Sequence, residues 1–238
     1  AYSGRGDYGS AIEALVAAHQ RNPLDASPLT QLVNAYIREN RAGEAEGLLR
    51  SMIETDGANY TARILLARVL MTGGRSAEAE VTLKEAMDAA PERGEAPEML
   101  YRVLRAQRRN ADASAVLDAA LARTPDSDGL KMLKADLMLV TGRMEEALAI
   151  YGDVLTRRPG DLLASNNYAS LLTELRDDSA SRARALEVAR VLDGSENPYF
   201  LDTLGWALHL NGDHVGAVER LERAAHQAGG VAEIHYHL

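Results

Sequence analysis

Five of the six histidines fall late in the chain, at His209, His214, His226, His235 and His237. Imidazole ligates metals and titrates near neutral pH, so this cluster is the first place to look for chemistry. A metal site needs the rings to converge. His235 and His237 stand two apart and point to different sides of a helix. His209 and His214 flank a turn. The cluster therefore reads as solvent-exposed imidazoles with no metal site. The chain has no cysteine, which removes disulfides, thiolate zinc sites and a cysteine nucleophile. No Ser–His–Asp arrangement or paired-carboxylate pocket is identifiable. Glu145-Glu146 and Asp177-Asp178 read as helix-start or loop charges. The expectation is a protein that is not an enzyme, with no catalytic residues, no cofactor and no metal.

Three short spellings resemble functional motifs. Gly4-Arg5-Gly6-Asp7-Tyr8-Gly9 matches G-x-G-x-x-G, but that pattern binds a dinucleotide only after a strand and inside a βαβ unit. Here a helix precedes it. Arg5-Gly6-Asp7 spells an adhesion tripeptide on a short turn. Asn59-Tyr60-Thr61 spells a glycosylation acceptor, which matters only in a eukaryotic secretory host. The net charge of −9 argues against nucleic acid, because phosphate contacts need clustered Lys and Arg. No apolar run approaches the roughly 18 residues a membrane helix needs.

These residues sit on a repeating frame. Ala11, Ala45, Ala79, Ala113 and Ala147 follow one another at steps of 34, and Ala217 comes 70 after Ala147. That is two periods plus a two-residue insertion, placed near residues 176–184. Leu15, Leu49, Leu83, Leu117, Tyr151 and Leu221 stand four after these alanines, and Ala18, Met52, Ala86, Ala120, Val154 and Ala224 seven after. Such spacing puts all three on one helical face. Pro23, Pro91, Pro125 and Pro159 recur twelve after the alanine, where a helix must stop. Gly6, Gly74, Gly142 and Gly212 recur five before it, at the turn between paired helices. Ala, Leu, Glu and Arg dominate, all strong helix formers.

The 34-residue period, small residues at helical spacing, turn glycine and terminal proline together resemble the tetratricopeptide repeat. The resemblance implies an all-α, right-handed superhelical solenoid of antiparallel helix pairs, about seven repeats long. Residues 1–25 then hold helix B of a first repeat. Repeats follow near 26–59, 60–93, 94–127, 128–161, 162–197 and 198–231, with the start of a further helix at 232–238. Helices A are expected near 27–39, 60–72, 94–107, 128–141, 162–175 and 198–211. Helices B are expected near 10–21, 43–55, 77–89, 111–123, 145–157, 182–192 and 215–227. Lys131 and Lys134 fall where helix A usually carries large apolar residues, so either that repeat packs differently or the stems snorkel past the core. Gly57, Asn197 and Gly229 replace the terminal proline. Ala1-Tyr2 matches the end of a helix A and Val231–Leu238 the start of another. The expectation is a segment of one longer array, able to self-associate through its ends.

In this family the concave groove is lined chiefly by helix A. The resemblance thus implies groove-facing residues: Gln31, Asn34, Arg38, Arg68, Arg102 and Arg105 early in the chain. This basic stripe could hold carboxylates through charge-assisted hydrogen bonds. Later come Asp136, Asn166, Asn167, Ser170, Thr173, Glu174, Asp202, Thr203, Trp206 and His209, a hydrogen-bonding surface with one aromatic platform. Asn-Asn-Tyr-Ala-Ser-Leu-Leu (166–172), Leu-Asp-Thr-Leu-Gly-Trp-Ala-Leu (201–208) and Ile-His-Tyr-His-Leu (234–238) resemble the C-terminal repeats of bacterial envelope proteins. Those belong to PEP-CTERM/exosortase and to Pel- or cellulose-type exopolysaccharide secretion systems. This resemblance implies a periplasmic scaffold that recruits other proteins, as peptide segments or folded domains, including a polysaccharide-modifying enzyme. The alternatives are a cytoplasmic adaptor for peptide tails and the non-catalytic array of a larger enzyme such as a glycosyltransferase.

Overall fold

A computed structural model describes residues 8–22 and 25–228, apart from the side chains of Tyr8 and His19. Gly4–Asp7, Pro23, Gly229 and Val231–Leu238, with His235 and His237, lie outside the described residues. So do the helix end expected at Ala1-Tyr2 and the helix start expected at 232–238. Among the described residues the structure is all-helical. The chain divides into two compact units, residues 1–126 and 127–238.

Unit 1 holds α1 (Tyr8–Arg21), α2 (Ala26–Arg38), α3 (Ala42–Thr55), α4 (Tyr60–Thr72), α5 (Ser76–Ala89), α6 (Glu95–Ala106) and α7 (Asn110–Arg123). Here α2, α4 and α6 are helices A, and α3, α5 and α7 are the helices B that follow them. Each helix B packs on the helix A before it, and α3 and α5 also pack on the helix A that follows. Unit 2 repeats the pattern with α8 (Asp128–Val140), α9 (Met144–Arg157), α10 (Leu162–Leu175), α11 (Ser179–Ala189), α12 (Pro198–Leu210) and α13 (His214–Ala228).

The helix limits follow from local chemistry. Helices A open on side-chain caps, which satisfy backbone N–H groups that have no partner within the helix. Asp25 accepts from Ser27 N, Asn59 from Ala62 N, Asp161 from Ala164 N and Asn197 from Tyr199 N. α6 lacks such a cap. Instead the Tyr60 hydroxyl, from the preceding helix A, accepts from Ala96 N at 3.0 Å. Burial of that phenol pushes its pKa up. Pro91, Pro125 and Pro159 stand two residues beyond the ends of α5, α7 and α9.

Every A-to-B turn except the irregular one between α10 and α11 places one residue in the left-handed region. Gly74, Gly142 and Gly212 supply it at φ of 72°, 75° and 86°, and Asn40 and Arg108 take the same place at 57° and 59°. Both are 34 residues from Gly74, so the turn geometry repeats even where glycine does not. A charged pair brackets several of these turns. Arg75 forks onto Glu78 at 2.6 Å and reaches Glu46 of the previous repeat at 2.6 Å. Arg109 likewise bridges two repeats, donating once to Asp112 at 2.6 Å and forking onto Glu80 at 2.6 and 3.3 Å. The guanidinium groups hold Glu46 and Glu80 below the usual carboxylate range. The local pairs to Glu78 and Asp112 are largely exposed and contribute little stability, whereas Glu46 and Glu80 are mostly covered.

The interior is built from alanines and leucines in register. Ala45, Ala79, Ala113 and Ala147 are fully buried, with Leu49, Leu83, Leu117 and Tyr151 one turn on. At Gly205 on α12 the approach is closer still. A Cβ there would lie 2.7 Å from Leu221 Cγ, inside any real contact distance. Lys131 snorkels: its amine reaches Asp153 on α9 while its stem stays largely buried.

The irregular repeat is resolved in a way that counting residues did not show. In α11 the buried triplet is Ala185, Ala189 and Leu192, the last in a 3-10 turn, Arg190–Leu192. It stands 38 residues after Ala147, Tyr151 and Val154 and 32 before Ala217, Leu221 and Ala224. Four residues are added ahead of the triplet and two removed behind it. α11 therefore opens at Ser179, capped by Asp178, rather than near 182.

Arg108 is exposed and strained in the left-handed region, which costs a non-glycine residue about 1 kcal/mol. Arg108→Gly is expected to raise the unfolding free energy by about that amount in urea titration.

Candidate functional site

On unit 1, Asn34, Arg68 and Arg102 occupy one position of α2, α4 and α6, because they are 34 residues apart. Arg68 Nη2 donates to Asn34 Oδ1 at 3.0 Å, tying the first two helices A together. Arg105 Nη1 donates to Asn110 Oδ1 at 2.5 Å and so turns toward the α6–α7 turn. Gln31 is exposed and donates to Ser27 Oγ within α2. Arg38 and Arg102 are exposed with no hydrogen bond or ion pair among the described residues. The structure thus divides the basic stripe. Asn34, Arg68 and Arg105 are partly spent on neighbours, and Arg38 and Arg102 keep all their donors.

On unit 2 the predicted amide surface is a directional hydrogen-bond chain. Tyr151 Oη donates to Asp136 Oδ1 at 2.8 Å. Asn167 Nδ2 donates to Tyr151 Oη at 2.9 Å, and Asn166 Nδ2 to Asn167 Oδ1 at 3.0 Å. Thr203 Oγ1 donates to Asn166 Oδ1 at 2.8 Å. The chain crosses α8, α9, α10 and α12. Its direction is set at one end: a carboxylate only accepts, so the tyrosine must donate to it. The tyrosine oxygen then accepts from Asn167, and the orientation of both amides follows. Each asparagine retains one unused amide hydrogen and one acceptor lone pair. Sequence reasoning placed Asp136, Asn166, Asn167 and Thr203 on this face but missed Tyr151, which links them. The signal was available, since Tyr151 takes a place where other repeats carry leucine, and a buried phenol needs a polar partner.

The remaining positions separate. Trp206 is half-buried and stacks on His209, with ring centroids 5.2 Å apart and planes 13° apart. The turn after α12 folds His214 back so that its Nδ1 lies 3.3 Å from His209 Nδ1. The histidines that flank a turn in sequence are therefore neighbours in space. Among the described residues no group of three or more His, Asp or Glu could hold a metal ion. Glu174 and Ser170 are exposed, Asp202 is half-buried on α12, and Thr173 turns inward to donate to Ser170 O. No helix among the described residues is long and apolar enough to cross a membrane.

Family models described as tetratricopeptide repeat match residues 3–56, 37–102 and 99–161. Solved structures share the fold. Pseudomonas aeruginosa pilF aligns at TM-score 0.67 and 16% identity, covering 97% of this chain and 98% of that one. PilW, a widely conserved type IV pilus biogenesis factor, aligns at 0.58 and 18%, covering 89% and 97%. A tetratricopeptide repeat protein of Parabacteroides merdae ATCC 43184 aligns at 0.54 and 19%, covering 98% and 91%. Comparison with curated protein sequences gives no match.

Removing the linking hydroxyl leaves Asp136 and Asn167 each short of one bond. Both are half-buried and reachable by water, so the cost falls at the low end for a lost hydrogen bond. Tyr151→Phe is expected to lower stability by about 1 kcal/mol in chemical denaturation. It should also collapse the chemical-shift separation of the Asn166 and Asn167 side-chain amides.

Proposed function

Since the chain belongs to the tetratricopeptide-repeat family, we propose that it is a non-catalytic scaffold that holds an acidic segment of a partner protein along the helix-A face of unit 1. Proteins of this family bind other proteins or peptides and are generally non-catalytic. The observation that carries the proposal is the placing of Arg68 and Arg102 at one position of successive helices A, with Arg102 unpaired. A guanidinium presents a fixed fork of donors, which matches a carboxylate in two-point contact. Arg38 adds a second free cation at the end of α2. On a chain of net charge −9, such a face selects isolated carboxylates over polyanions, because the rest of the surface repels a long phosphate chain.

On unit 2 the half-buried amides Asn166 and Asn167 each keep a donor and an acceptor, the pairing offered by a peptide backbone. Trp206 supplies an aromatic surface two residues from Leu204 in the same helix. This face reads as a contact region of its own for a peptide backbone.

The proposed setting is the periplasm of a bacterial envelope. There the scaffold would recruit proteins of a polysaccharide or protein export machine, including a polysaccharide-modifying enzyme. The support is the resemblance of residues 166–172 and 201–208 to envelope repeats. Fractionation of the native cells tests the setting: recovery in the periplasmic or envelope fraction supports it, and recovery in the cytoplasm contradicts it.

The groove reading is tested by affinity capture with mass spectrometry, then titration of the captured segment. Each charge-assisted hydrogen bond is worth roughly 1.5–3 kcal/mol, so Arg102→Glu should weaken the segment by about tenfold or more. Arg102 is exposed, so the variant should melt like the parent. Unchanged affinity would show that the stripe is idle.

A further inference from the structure

A groove opens between helices B of unit 1. α3 and α5 both pack on α4 and scarcely touch each other. Between them runs a groove of about 450 Å³, floored by Leu66 of α4 and walled by Ile53 and Val81. Val81 is 57% exposed. A β-branched aliphatic left this open on a helix otherwise rich in charge has a hydrophobic surface with nothing to cover it.

The rim decides what could cover it. Arg50 lines the groove, but its charge is engaged by Glu46 at 2.8 Å and by Glu78 at 3.6 Å. Glu78 is itself forked by Arg75. Two further carboxylates line the groove. Glu54, beside Ile53, is exposed with no partner among the described residues. Glu85 stands one turn beyond Val81 on the same face of α5, and its side chain is 55% exposed. Its neighbour Arg63 is buried behind it at 3.5 Å, and neither Arg63 Nε nor Nη1 makes a hydrogen bond. Glu85 is therefore the ion-pair partner of a buried guanidinium, and its charge is engaged. The groove offers an aliphatic slot with one unspent negative charge, Glu54, at its rim.

We propose that this groove docks a segment of another protein in which lysine or arginine flanks a leucine, isoleucine or methionine. The aliphatic side chain fills the slot over Leu66 and Val81, and the flanking cation pairs with Glu54. The volume lies within the range of small ligand pockets and suits one or two side chains. The charge preference is opposite to that of the helix-A face. Unit 1 would therefore take acidic and basic segments on different surfaces and could hold two partners together.

The test selects short random peptides displayed on phage against the purified chain. Val81→Asp and Glu54→Gln serve as comparators. Both changes are at exposed side chains, and helicity by circular dichroism checks that each variant folds. The expected peptides carry Lys or Arg around an aliphatic residue. They should bind the parent, lose about tenfold or more on Val81→Asp, and lose their salt dependence on Glu54→Gln. Arg102→Glu should leave them unaffected, which separates this result from the fate of the helix-A face. Enrichment of acidic or uncharged peptides would overturn the proposal, as would no enrichment or equal binding to Val81→Asp. A concentration-dependent dimer that Val81→Asp abolishes would also overturn it, because the occupant would then be a second copy of this chain.

Discussion

Two helices can run side by side at the shortest separation only where the side chains between them are no larger than a methyl group. Ala45, Ala79, Ala113, Ala147, Ala185 and Ala217 hold that place in successive helices B, each with at most 2% of its surface exposed. Gly205 goes further and has no room even for a methyl against Leu221. Interiors are packed at crystal-like density, so these contacts cannot widen by a methylene without displacing neighbours. The leucines one turn on then meet across the gap, each contributing roughly 1.5–3 kcal/mol by leaving water. No helix pair buries its apolar face alone, so stability is a sum over neighbouring pairs.

Because the interior is met by alanine and leucine on one stripe of each helix, the other stripes are free to carry recognition chemistry. Unit 1 carries unpaired guanidinium groups on one face and an unpaired carboxylate, Glu54, beside an aliphatic slot on another. Unit 2 uses the same freedom differently. A tyrosine replaces a core leucine, and its hydroxyl passes a carboxylate's demand for protons along two asparagines to a threonine. The polar face there is pre-oriented, so a ligand meeting it finds donors and acceptors already fixed in place.

What could be read from sequence was whatever steric necessity forces to recur. The alanines, the terminal prolines and the turn glycines each answer a local geometric demand, so the 34-residue period and the limits of most helices were legible from spacing. Asn40 and Arg108 show the limit of that reading, since the left-handed turn is required even where the residue that signals it is missing. The α11 register was hidden because four residues gained and two lost appear as a net two. The site was legible as residue types on a face but not as bonds. Whether Asn34 is free or holds Arg68, and whether Arg105 faces outward or Asn110, depends on rotamers set by neighbours in three dimensions. His209 and His214 were separated by a turn on paper and brought together by its fold.

The account rests on close approach at the alanine positions, and a paired substitution on α7 measures that directly. Ala113 is fully buried, whereas Ala111, two residues earlier, is exposed. Urea unfolding of Ala113→Leu should show a loss of about 2–3 kcal/mol, since extra methylenes in a filled interior force backbone or rotamer shifts. Ala111→Leu should stay within about 0.5 kcal/mol of the parent. Equal stability of the two variants would contradict the claim that alanine-sized gaps hold the helix pairs in register.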